Sequence, residues 1–396
     1  MKPEASYYLY HQKEIVSTCQ ALQSSLPGID FLYSVKANPF PPVVRLIAGQ
    51  SFGADAASLE EVEISLRCGI RPEDIFYSAP GKTEADICGV LGKCILIADS
   101  LHELALIERA ADERNTIAEI GIRIHPDFTM DDSPTAPSKF GIGTEEMEEL
   151  SGLLPTLTHL KIVGIHIHLK SQVLDAEALG RYYLRVMEEA IRVKEYLNIA
   201  LSFVNFGSGI GITYDPEREQ PVDLSIINHA LDAVRQMNQR LNVRLLIESG
   251  RYVVCKAGRY YTPVIDRKQS HGTTYLIVSN GLNGFMRPAV AFLLCKVSDK
   301  AMLPGMEPLF TCENAFQVRV LNDAAEQETV TIVGNLCTAL DVIAENVTVR
   351  KAAIGDLIEI TNAGSYAYSL SPLAFSSQRM PKQYLVTEDG RWIDEQ

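Results

Sequence analysis

The residues best suited to chemistry stand near the ends of short apolar runs. Lys36 ends the first of these runs, in YSVKANP, and His166 and His168 end the sixth, in GIHIHLKSQ. A lysine amine removed from water can form a Schiff base with an aldehyde, although a lysine at a strand end often only extends to solvent. Both imidazoles face the same side of an extended strand. A metal pair lacks a third ligand at suitable spacing, and His166 is also compatible with a core position.

Two further runs end in groups suited to an anion. The seventh opens into NFGSGIGITY, in which Gly207, Ser208 and Gly209 would let backbone N–H groups approach a phosphate. Such turns are common without a ligand, and this one is not the dinucleotide fingerprint. The eighth ends in Glu248, Ser249, Gly250 and Arg251. This segment fits an ordinary ion pair, or else a carboxylate facing a heteroaromatic nitrogen with Gly and Arg facing a phosphate.

Together these ends supply an amine, an imidazole, an anion cradle and a carboxylate. Pyridoxal 5′-phosphate needs the same set: a lysine, a flat group against its ring, a phosphate pocket and an acidic partner for its ring nitrogen. The sequence therefore predicts this cofactor, with Lys36 as its lysine, one of the two imidazoles against its ring and Glu248 as the acidic partner. No metal is expected.

Eight β-rich runs separated by amphipathic segments must position these groups. The runs are residues 29–36, 51–57, 74–79, 94–98, 119–124, 161–168, 201–206 and 243–248. Alternation with short connections indicates parallel pairing through right-handed crossovers. Eight units over residues 28–252 predict a (β/α)8 barrel, whose functional groups gather at the C-terminal ends of its strands. A doubly wound open sheet is the alternative.

The alternation of strand-like and helical segments stops after Tyr252. Short β runs separated by Gly, Asn, Asp and Pro predict an antiparallel β-domain over residues 253–396. The opening SYYLYH is also strand-like, and within residues 1–27 it precedes a helix. We expect this strand to join the C-terminal β-domain rather than the barrel.

Composition narrows the class of protein. The 396 residues are 46% hydrophobic and 22% charged, and 50 acidic against 36 basic side chains leave a net charge of −14. This balance argues against nucleic-acid and anionic-membrane partners, which require clustered Lys and Arg. The N-terminus does not resemble a secretory signal and no run is long enough for a membrane helix, so we expect a cytoplasmic protein. The eight cysteines show no CxxC spacing and should be mostly free thiols.

These motifs resemble the fold-type III pyridoxal-phosphate decarboxylases, which include diaminopimelate, ornithine and arginine decarboxylases. YSVKANP resembles their Schiff-base lysine motif, and GADAASLEE their strand with an acidic residue near that lysine, here Asp55. GIHIHLKSQ resembles the segment that contacts the cofactor through His168 and Ser171. NFGSGIG and ESGR resemble the phosphate loop and the pyridinium-binding segment. The resemblance covers nearly the whole chain and implies an alanine racemase-like barrel with a C-terminal β-domain.

The β-domain carries three more motifs of this family. NGLNGFMRPA resembles the segment that supplies a substrate-binding arginine, here Arg287, and NAGSYAYSLSP the segment whose Tyr366 contacts the cofactor phosphate. LCTALD resembles the loop that brings a catalytic cysteine, here Cys337, to the active site of the partner subunit. The resemblance therefore implies a homodimer with shared active sites, and it adds Asp341 to the substrate-binding residues.

Four departures from the family pattern stand out, one of which is Ser249 in place of a common proline. Ser208 replaces the middle glycine of the phosphate loop, and Lys170 replaces a glycine and adds a cation near the phosphate or substrate. Thr338 follows Cys337 where the diaminopimelate and ornithine enzymes have an acidic residue that recognises a distal amine. A Cys-Thr pair here is similar to decarboxylases of siderophore and aminoglycoside-antibiotic pathways, whose substrates are already acylated by citrate or a carrier protein.

The sequence thus predicts a decarboxylase that removes the α-carboxylate of an amino acid. Cys337 is the expected proton donor, and Arg287, Lys170 and Thr338 are the expected contacts to a distally acylated diamino acid. A decarboxylase of free diaminopimelate, ornithine or lysine is the alternative. An amino-acid racemase is disfavoured because Cys337 lies in a decarboxylase-like loop. A small pyridoxal-phosphate carrier would lack the second domain, and a non-enzymatic binding module would not need Lys36, Cys337 and Tyr366.

Overall fold

A computed structural model describes residues 5–130, 135–297 and 315–394. The chain divides into two compact units. The barrel unit comprises Thr18–Ile212 and Pro221–Gly250, and the sheet unit comprises the described residues of Met1–Ser17, Thr213–Gln220 and Arg251–Gln396. Residues 213–220 and 251–252, which the sequence-based boundaries assign to the barrel, belong instead to the sheet unit, and residues 18–27 belong to the barrel unit. Cys312 lies outside the described residues.

Eighteen strands are present in the described residues. Up to residue 250 they are β1 Tyr7–His11, β2 Asp30–Ser34, β3 Gly53–Ala56, β4 Ile75–Tyr77, β5 Ile95–Ala98, β6 Ala118–His125, β7 Ile142–Gly143, β8 Leu160–His166, β9 Phe203–Asn205 and β10 Arg244–Ser249. Beyond it they are β11 Gly258–Ser270, β12 Thr273–Val278, β13 Val318–Leu321, β14 Gln327–Val333, β15 Val342–Arg350, β16 Leu357–Ile360, β17 Lys382–Val386 and β18 Trp392–Ile393.

Ten α-helices accompany them in the same part of the chain. They are α1 Gln12–Ser25, α2 Pro41–Ala48, α3 Leu59–Arg67, α4 Glu84–Val90, α5 Leu101–Glu113, α6 Met147–Leu153, α7 Ala176–Leu197, α8 Leu224–Leu241, α9 Arg251–Val254 and α10 Met286–Val297.

Eight parallel strands of the barrel unit form the predicted closed barrel. Strands β2, β3, β4, β5, β6, β8, β9 and β10 pair in that order, and β10 pairs with β2 to complete the ring. Each coincides with one of the eight runs expected from the sequence. The open-sheet alternative is therefore excluded by the β10–β2 pairing. The two-residue strand β7, beside β6, has no counterpart in the predicted runs because it is too short to show a period.

Side-chain caps mark where the barrel helices begin. Ser58, Ser100 and Asp175 accept a backbone N–H from the first turns of α3, α5 and α7. Such caps satisfy N–H groups that have no partner within the helix, and each stabilises it by about 1 kcal/mol. Helices α3 and α5 therefore start within three residues of the preceding strands, whereas α7 follows a longer loop after β8.

The interior of the barrel is packed with apolar side chains from alternate positions. Leu32, Phe76, Ile97, Val163, Phe203 and Leu246 form one buried cluster. The Phe203 ring occupies the space that a side chain on Gly164 would need, because a Cβ there would lie 2.0 Å from the ring. The barrel is thus a filled core rather than a pore, and its chemistry belongs at the strand ends.

The sheet unit contains a nine-stranded mixed sheet, whereas the sequence predicts an antiparallel one. Seven strands follow the order β15-β14-β12-β11-β1-β17-β18, and β16 pairs with both β11 and β13. The N-terminal strand β1 pairs antiparallel with β11 but parallel with β17, and β12 pairs parallel with β14. These parallel pairings join strands that are distant in sequence, so local β patterns do not reveal their direction. Among the described residues, no helix is both long and apolar enough to cross a membrane.

Candidate active site

Polar side chains gather at the C-terminal ends of the barrel strands. Lys36 follows β2 and Asp55 lies in β3; Ser78 follows β4, Arg123 lies in β6 and His166 ends β8. Asn205 ends β9 and Glu248 lies in β10. Because all eight strands are parallel, these groups share one end of the barrel, where barrel enzymes place their catalytic residues.

Lys36 and Asp55 form an ion pair at this end. The Lys36 Nζ lies 3.0 Å from Asp55 Oδ2, and the Ser78 hydroxyl donates to Asp55 Oδ1 over 2.6 Å. The side chain of Asp55 is fully buried, whereas that of Lys36 is 45% exposed. The carboxylate thus fixes the lysine while its amine remains accessible to an incoming group.

His168 is held between two loops of the barrel. Its Nδ1 accepts the Ser208 N–H over 3.1 Å, and its Nε2 lies 3.3 Å from the Ser171 hydroxyl. An Nδ1 that accepts leaves the ring proton on Nε2, which then donates to Ser171. Burial lowers the pKa of His168 to about 3, and the positive charge of Arg123 acts in the same direction. The ring is therefore neutral near pH 7.

The glycine-rich turn after β9 requires its first glycine. Gly207 has φ +66°, and a Cβ there would lie 2.5 Å from His168 Cβ and 2.7 Å from the Ile167 carbonyl oxygen. A Cβ on Gly209 would lie 2.7 Å from Leu179 Cδ2. The backbone of Gly207, Ser208 and Gly209 therefore approaches its neighbours too closely for side chains at the two glycines.

Glu248 is a buried carboxylate surrounded by nitrogen atoms. It accepts the Asn205 side-chain N–H over 2.9 Å, and His166 Nε2 lies 3.2 Å from the same oxygen, Oε1. Burial alone raises the pKa of this carboxyl, but His166, Lys36 and His168 outweigh burial and hold the pKa well below its usual range. Glu248 is therefore ionised, as an acceptor for a protonated ring nitrogen must be.

The other predicted residues of the barrel unit flank this set. Ser249 is buried at the end of β10, and its hydroxyl has no hydrogen-bond partner among the described residues. A Cβ on Gly250 would lie 2.9 Å from Ala37 Cβ, so this glycine packs directly beside the lysine segment. Lys170 is exposed in the loop after β8. The residues of the barrel unit that are assigned to the cofactor thus lie at or just after the ends of β2, β3, β8, β9 and β10.

Two arginines meet around one tyrosine in the sheet unit. Arg251 and Arg287 donate to the Tyr214 hydroxyl over 2.7 Å and 3.0 Å, and Arg287 also donates to the Ser365 carbonyl oxygen over 3.1 Å. The Arg251 guanidinium lies 5.1 Å from the centre of the Tyr366 ring. Tyr366 itself has φ +51°, an uncommon value for an aromatic residue. Arg251, Arg287 and Tyr366 are therefore neighbours in the sheet unit.

Cys337 and Thr338 lie in the loop between β14 and β15. Cys337 is an exposed free thiol, and the Thr338 hydroxyl accepts the Leu340 N–H over 3.3 Å. Asp341, in contrast, is 2% exposed, and its two carboxylate oxygens accept the backbone N–H groups of Leu282 and Leu336 over 2.5 Å and 2.9 Å. Both carboxylate oxygens of Asp341 thus hold the loop, and its assignment to the substrate stays a prediction.

Sequence reasoning did not assign Ser78, Asn205, Arg123 or Tyr214. Ser78 and Asn205 lie at the ends of two of the predicted runs, so the rule that barrel strands end in functional groups was a usable signal for both. Arg123 and Tyr214 offered none, because each acts through neighbours that are distant in sequence.

The barrel residues fit pyridoxal phosphate. The accessible Lys36 amine suits its aldehyde. In the tight turn at Gly207–Gly209 the Gly207 and Ser208 N–H groups already donate to Asn205 Oδ1 and His168 Nδ1, so a phosphate here would have to share these donors or use the Gly209 N–H. The second oxygen of Glu248, Oε2, accepts no hydrogen bond from the described residues, which leaves it for a ring nitrogen. A neutral His168 suits contact with a flat ring.

Comparisons with known proteins agree with this fit. Residues 12–255 match the family model described as pyridoxal-dependent decarboxylase, pyridoxal binding domain. The chain is 29% identical over 392 residues to L-glutamyl-[BtrI acyl-carrier protein] decarboxylase of Niallia circulans, covering 96% of this chain and 89% of that protein. It is 27% identical over 377 residues to diaminopimelate decarboxylase of Aquifex aeolicus, covering 92% and 82%.

Solved structures similar to this chain are also decarboxylases. Diaminopimelate decarboxylase of Helicobacter pylori in complex with L-lysine superposes with a TM-score of 0.83 at 26% identity, over 99% of this chain and 94% of that one. Lysine decarboxylase of Selenomonas ruminantium, at 20% identity, shares the fold with a TM-score of 0.78 over 98% and 94%. The predicted family, cofactor and reaction class are thereby confirmed. The chain belongs to the pyridoxal-dependent decarboxylases, carboxy-lyases that use pyridoxal phosphate to act on amino acids.

Proposed function

We propose that this enzyme decarboxylates a diamino acid whose distal amine is already acylated, by citrate or by a carrier protein, in siderophore or secondary-metabolite biosynthesis. The observation that carries the proposal is the loop of Cys337. It has Thr338 where the diaminopimelate and ornithine enzymes have an acidic residue, and its one carboxylate, Asp341, is occupied by backbone N–H groups.

A free diamino acid would bring a distal ammonium group to this loop. Burying an ammonium without a charged partner is costly, by roughly 3–5 kcal/mol. An acylated nitrogen carries no such charge, and its amide N–H or carbonyl oxygen can pair with the Thr338 hydroxyl. The loop therefore suits an amide at this position better than an ammonium.

One relative supports this choice. The Niallia circulans protein acts on a glutamyl group attached to an acyl-carrier protein, which is an amino acid acylated onto a carrier. That substrate differs from the one proposed here, since it is a glutamyl group on a carrier rather than a diamino acid acylated at its distal amine. The similarity of that protein to this chain supports a substrate that is attached to a larger group and leaves the acylated diamino acid itself as our proposal.

The barrel residues have distinct roles in this proposal. Pyridoxal phosphate, when bound, withdraws electrons from the substrate carbon that loses carbon dioxide. Lys36 holds the cofactor covalently and Asp55 orients the lysine; neutral His168 contacts the ring face, and ionised Glu248 accepts a hydrogen bond from the ring nitrogen. The turn at Gly207–Gly209, with Gly250, Arg251 and Tyr366, is assigned to the phosphate.

Cys337 is assigned as the proton donor to the carbon that has lost its carboxylate. It is exposed in its own chain, as expected for a residue that acts in a partner subunit's site. Arg287 and Lys170 are assigned to anionic groups on the acyl part of the substrate. Arg287 already donates to Tyr214 and Ser365, so this contact would require it to share its donors.

The alternative is a decarboxylase of a free diamino acid. The relatives from Aquifex aeolicus and Helicobacter pylori are diaminopimelate decarboxylases, and they cover this chain almost as completely. This alternative shares the cofactor and the barrel residues with the proposal, so the two differ only in the distal part of the substrate.

A panel of substrates separates these candidates. Purified enzyme loaded with pyridoxal phosphate is given free diaminopimelate, ornithine, lysine and a citryl-diaminopropionate conjugate, and carbon dioxide release is measured. We expect kcat/KM for the conjugate to exceed that for every free diamino acid by several hundredfold or more, as roughly 3–5 kcal/mol implies. Efficient turnover of a free diamino acid would refute the acylated-substrate proposal, and change of optical rotation without carbon dioxide release would indicate a racemase.

A further inference from the structure

His166 is a buried histidine for which the proposed reaction has no use. It ends β8 and is 1% exposed. Neither ring nitrogen completes a hydrogen bond with any described residue, although Nε2 lies 3.2 Å from Glu248 Oε1. Burying an imidazole without hydrogen bonds is unfavourable, so its position beside Glu248 calls for a compensating role.

Glu248 is anchored by one oxygen only. The Asn205 side-chain N–H donates to Oε1 over 2.9 Å, and the Asn205 side-chain oxygen, Oδ1, accepts the Gly207 N–H over 2.8 Å. The register of the barrel creates this arrangement, because β9 pairs His166 with Asn205 on one side and Leu246 with Asn205 on the other. Both contacts therefore converge on Oε1, and Oε2 points away from them with no partner among the described residues.

Electrostatic interactions with its neighbours keep the Glu248 carboxyl ionised. The charged and titratable groups that act on Glu248 are His166 and His168 from the β8 side and Lys36 from the β2 side, and all three favour its ionised form. Burial opposes them. His166 is the first of these groups in strength, so removing it would let burial shift Glu248 toward the protonated, hydrogen-bond-donating form.

We propose that His166 is a positioning residue that holds the Glu248 carboxylate at Oε1 and so presents Oε2 to the ring nitrogen of the cofactor. The proposal rests on the assignment of Glu248 to that nitrogen. It differs from the core position that the sequence also allowed for His166, because a core residue would contribute to folding without affecting the cofactor.

Two amide substitutions of different length give a sharp test. In His166→Gln the amide nitrogen reaches about as far as Nε2, whereas in His166→Asn it reaches only about as far as Nδ1. The dissociation constant of pyridoxal phosphate is measured by titrating the cofactor-free protein, alongside kcat, KM and the absorbance bands of the bound cofactor. A supporting contact of this kind typically contributes about 10–100-fold.

We expect His166→Asn and His166→Leu to weaken cofactor binding and lower kcat by at least about tenfold, with KM for substrate nearly unchanged. Their cofactor absorbance bands should also shift, whereas His166→Gln should remain within a fewfold of the native protein. His229→Leu, at a surface histidine, is the control and should change nothing. Similar values for Gln and Asn, or native behaviour of both, would overturn the proposal even if His166→Leu failed to fold.

Glu248→Gln, measured in parallel, separates this proposal from the assignment beneath it. If Glu248→Gln binds the cofactor and turns over normally, then the assignment of Glu248 to the ring nitrogen fails. If Glu248→Gln loses activity while His166→Asn and His166→Leu do not, then only the positioning role of His166 is refuted.

Discussion

At the scale of single residues, the barrel side chains work through partners that limit their freedom. Asp55 is fixed by Ser78 and in turn fixes Lys36, and Glu248 is fixed by Asn205. Ser78 and Asn205 are already immobilised by burial in the folded barrel, so forming these contacts costs them little further conformational entropy. Substitutions of Lys36 or Glu248 should therefore remove a group that acts on the cofactor, whereas substitutions of Ser78 or Asn205 should change how that group is positioned.

Lys36→Ala should abolish covalent cofactor attachment and turnover, because it removes the amine that Asp55 holds at the barrel end. Native protein is reduced with borohydride and digested, and the pyridoxyl group is located by mass spectrometry. We expect it on Lys36 alone. A pyridoxyl group on another lysine, such as the buried Lys82, would contradict the assignment.

Thr338→Glu should narrow the preference for an acylated substrate. A carboxylate at this position could pair with a distal ammonium, as the acidic residue does in the diaminopimelate and ornithine enzymes, and breaking such a buried pair costs roughly 3–5 kcal/mol. The measurement is the ratio of kcat/KM for the citryl conjugate to kcat/KM for free ornithine. Thr338→Gln, which has similar length and no charge, is the matched control. Equal ratios in the two variants would rule out a charge effect.

Glu61 should make stability depend on pH. Burial and the nearby Asp55 raise the pKa of this carboxyl to about 7, from an ordinary value of 4.5. Between these values the folded state binds more protons than the unfolded state, so stability falls as pH rises from about 4.5 to 7. Glu61→Gln keeps an oxygen for the Ala57 N–H and removes the titration, so its stability relative to native protein should increase with pH.

Urea unfolding at pH 5 and pH 8 measures this difference. Contributions from His168 and other groups are common to both proteins and cancel in the comparison. Glu60→Gln, at an exposed position on the same helix, serves as the control and should show the same offset at both pH values. An equal offset for Glu61→Gln would show that this carboxyl does not titrate in the window.

At the scale of elements, short connections decide what the strand ends present. The eight predicted runs coincide with the eight barrel strands because β-rich apolar segments bounded by capped helices are a local signal. The turn after β9 is different, since its need for glycine arises from contact with the loop after β8. The sequence indicated a turn whose backbone N–H groups could approach an anion, and only the packing shows that Gly207 is sterically required.

Gly207→Ala should therefore destabilise the turn and weaken cofactor binding. A left-handed backbone costs a non-glycine residue roughly 1–2 kcal/mol, and contact with His168 Cβ and the Ile167 oxygen adds to this. The free energy of unfolding and the dissociation constant of pyridoxal phosphate are the measurements. Gly152→Ala, in α6 with no atom near the added Cβ, should instead be neutral or stabilise by about 0.5–1 kcal/mol. A Gly207→Ala protein that binds as tightly as Gly152→Ala would contradict the close approach.

At the scale of the whole molecule, the loop of Cys337 raises the question of assembly. The family resemblance assigns this exposed cysteine to the active site of a second subunit, which implies a two-fold dimer with shared sites. Asp341 supports this loop from within its own sheet unit by binding two backbone N–H groups. The loop is thus held in a defined conformation while its cysteine remains available.

Mixing inactive chains tests shared sites directly. When Lys36→Ala and Cys337→Ala proteins exchange subunits at random, half of the dimers combine the two variants, and each has one intact site. Activity should return to about a quarter of the native value. Subunit exchange is verified independently with differently tagged chains. Full exchange without any recovery would show that each site is built from a single chain.

Much of this protein was determined by sequence alone. The eight barrel strands, the lysine at the first strand end, the paired histidines, the glycine turn and the Glu-Ser-Gly-Arg segment all follow from local spacing, since strand and turn periods are properties of neighbouring residues. The cofactor followed from the combination of these groups.

Tertiary structure decided the contacts between distant residues. It closed the barrel through β10 and β2, placed β1 parallel to β17, joined Asn205 and His166 to one oxygen of Glu248, and directed the carboxylate of Asp341 to the backbone of Leu282 and Leu336. These outcomes depend on strand register and on which buried groups find hydrogen-bond partners. Residue types show what a group can do, whereas folding determines which atoms remain available to do it.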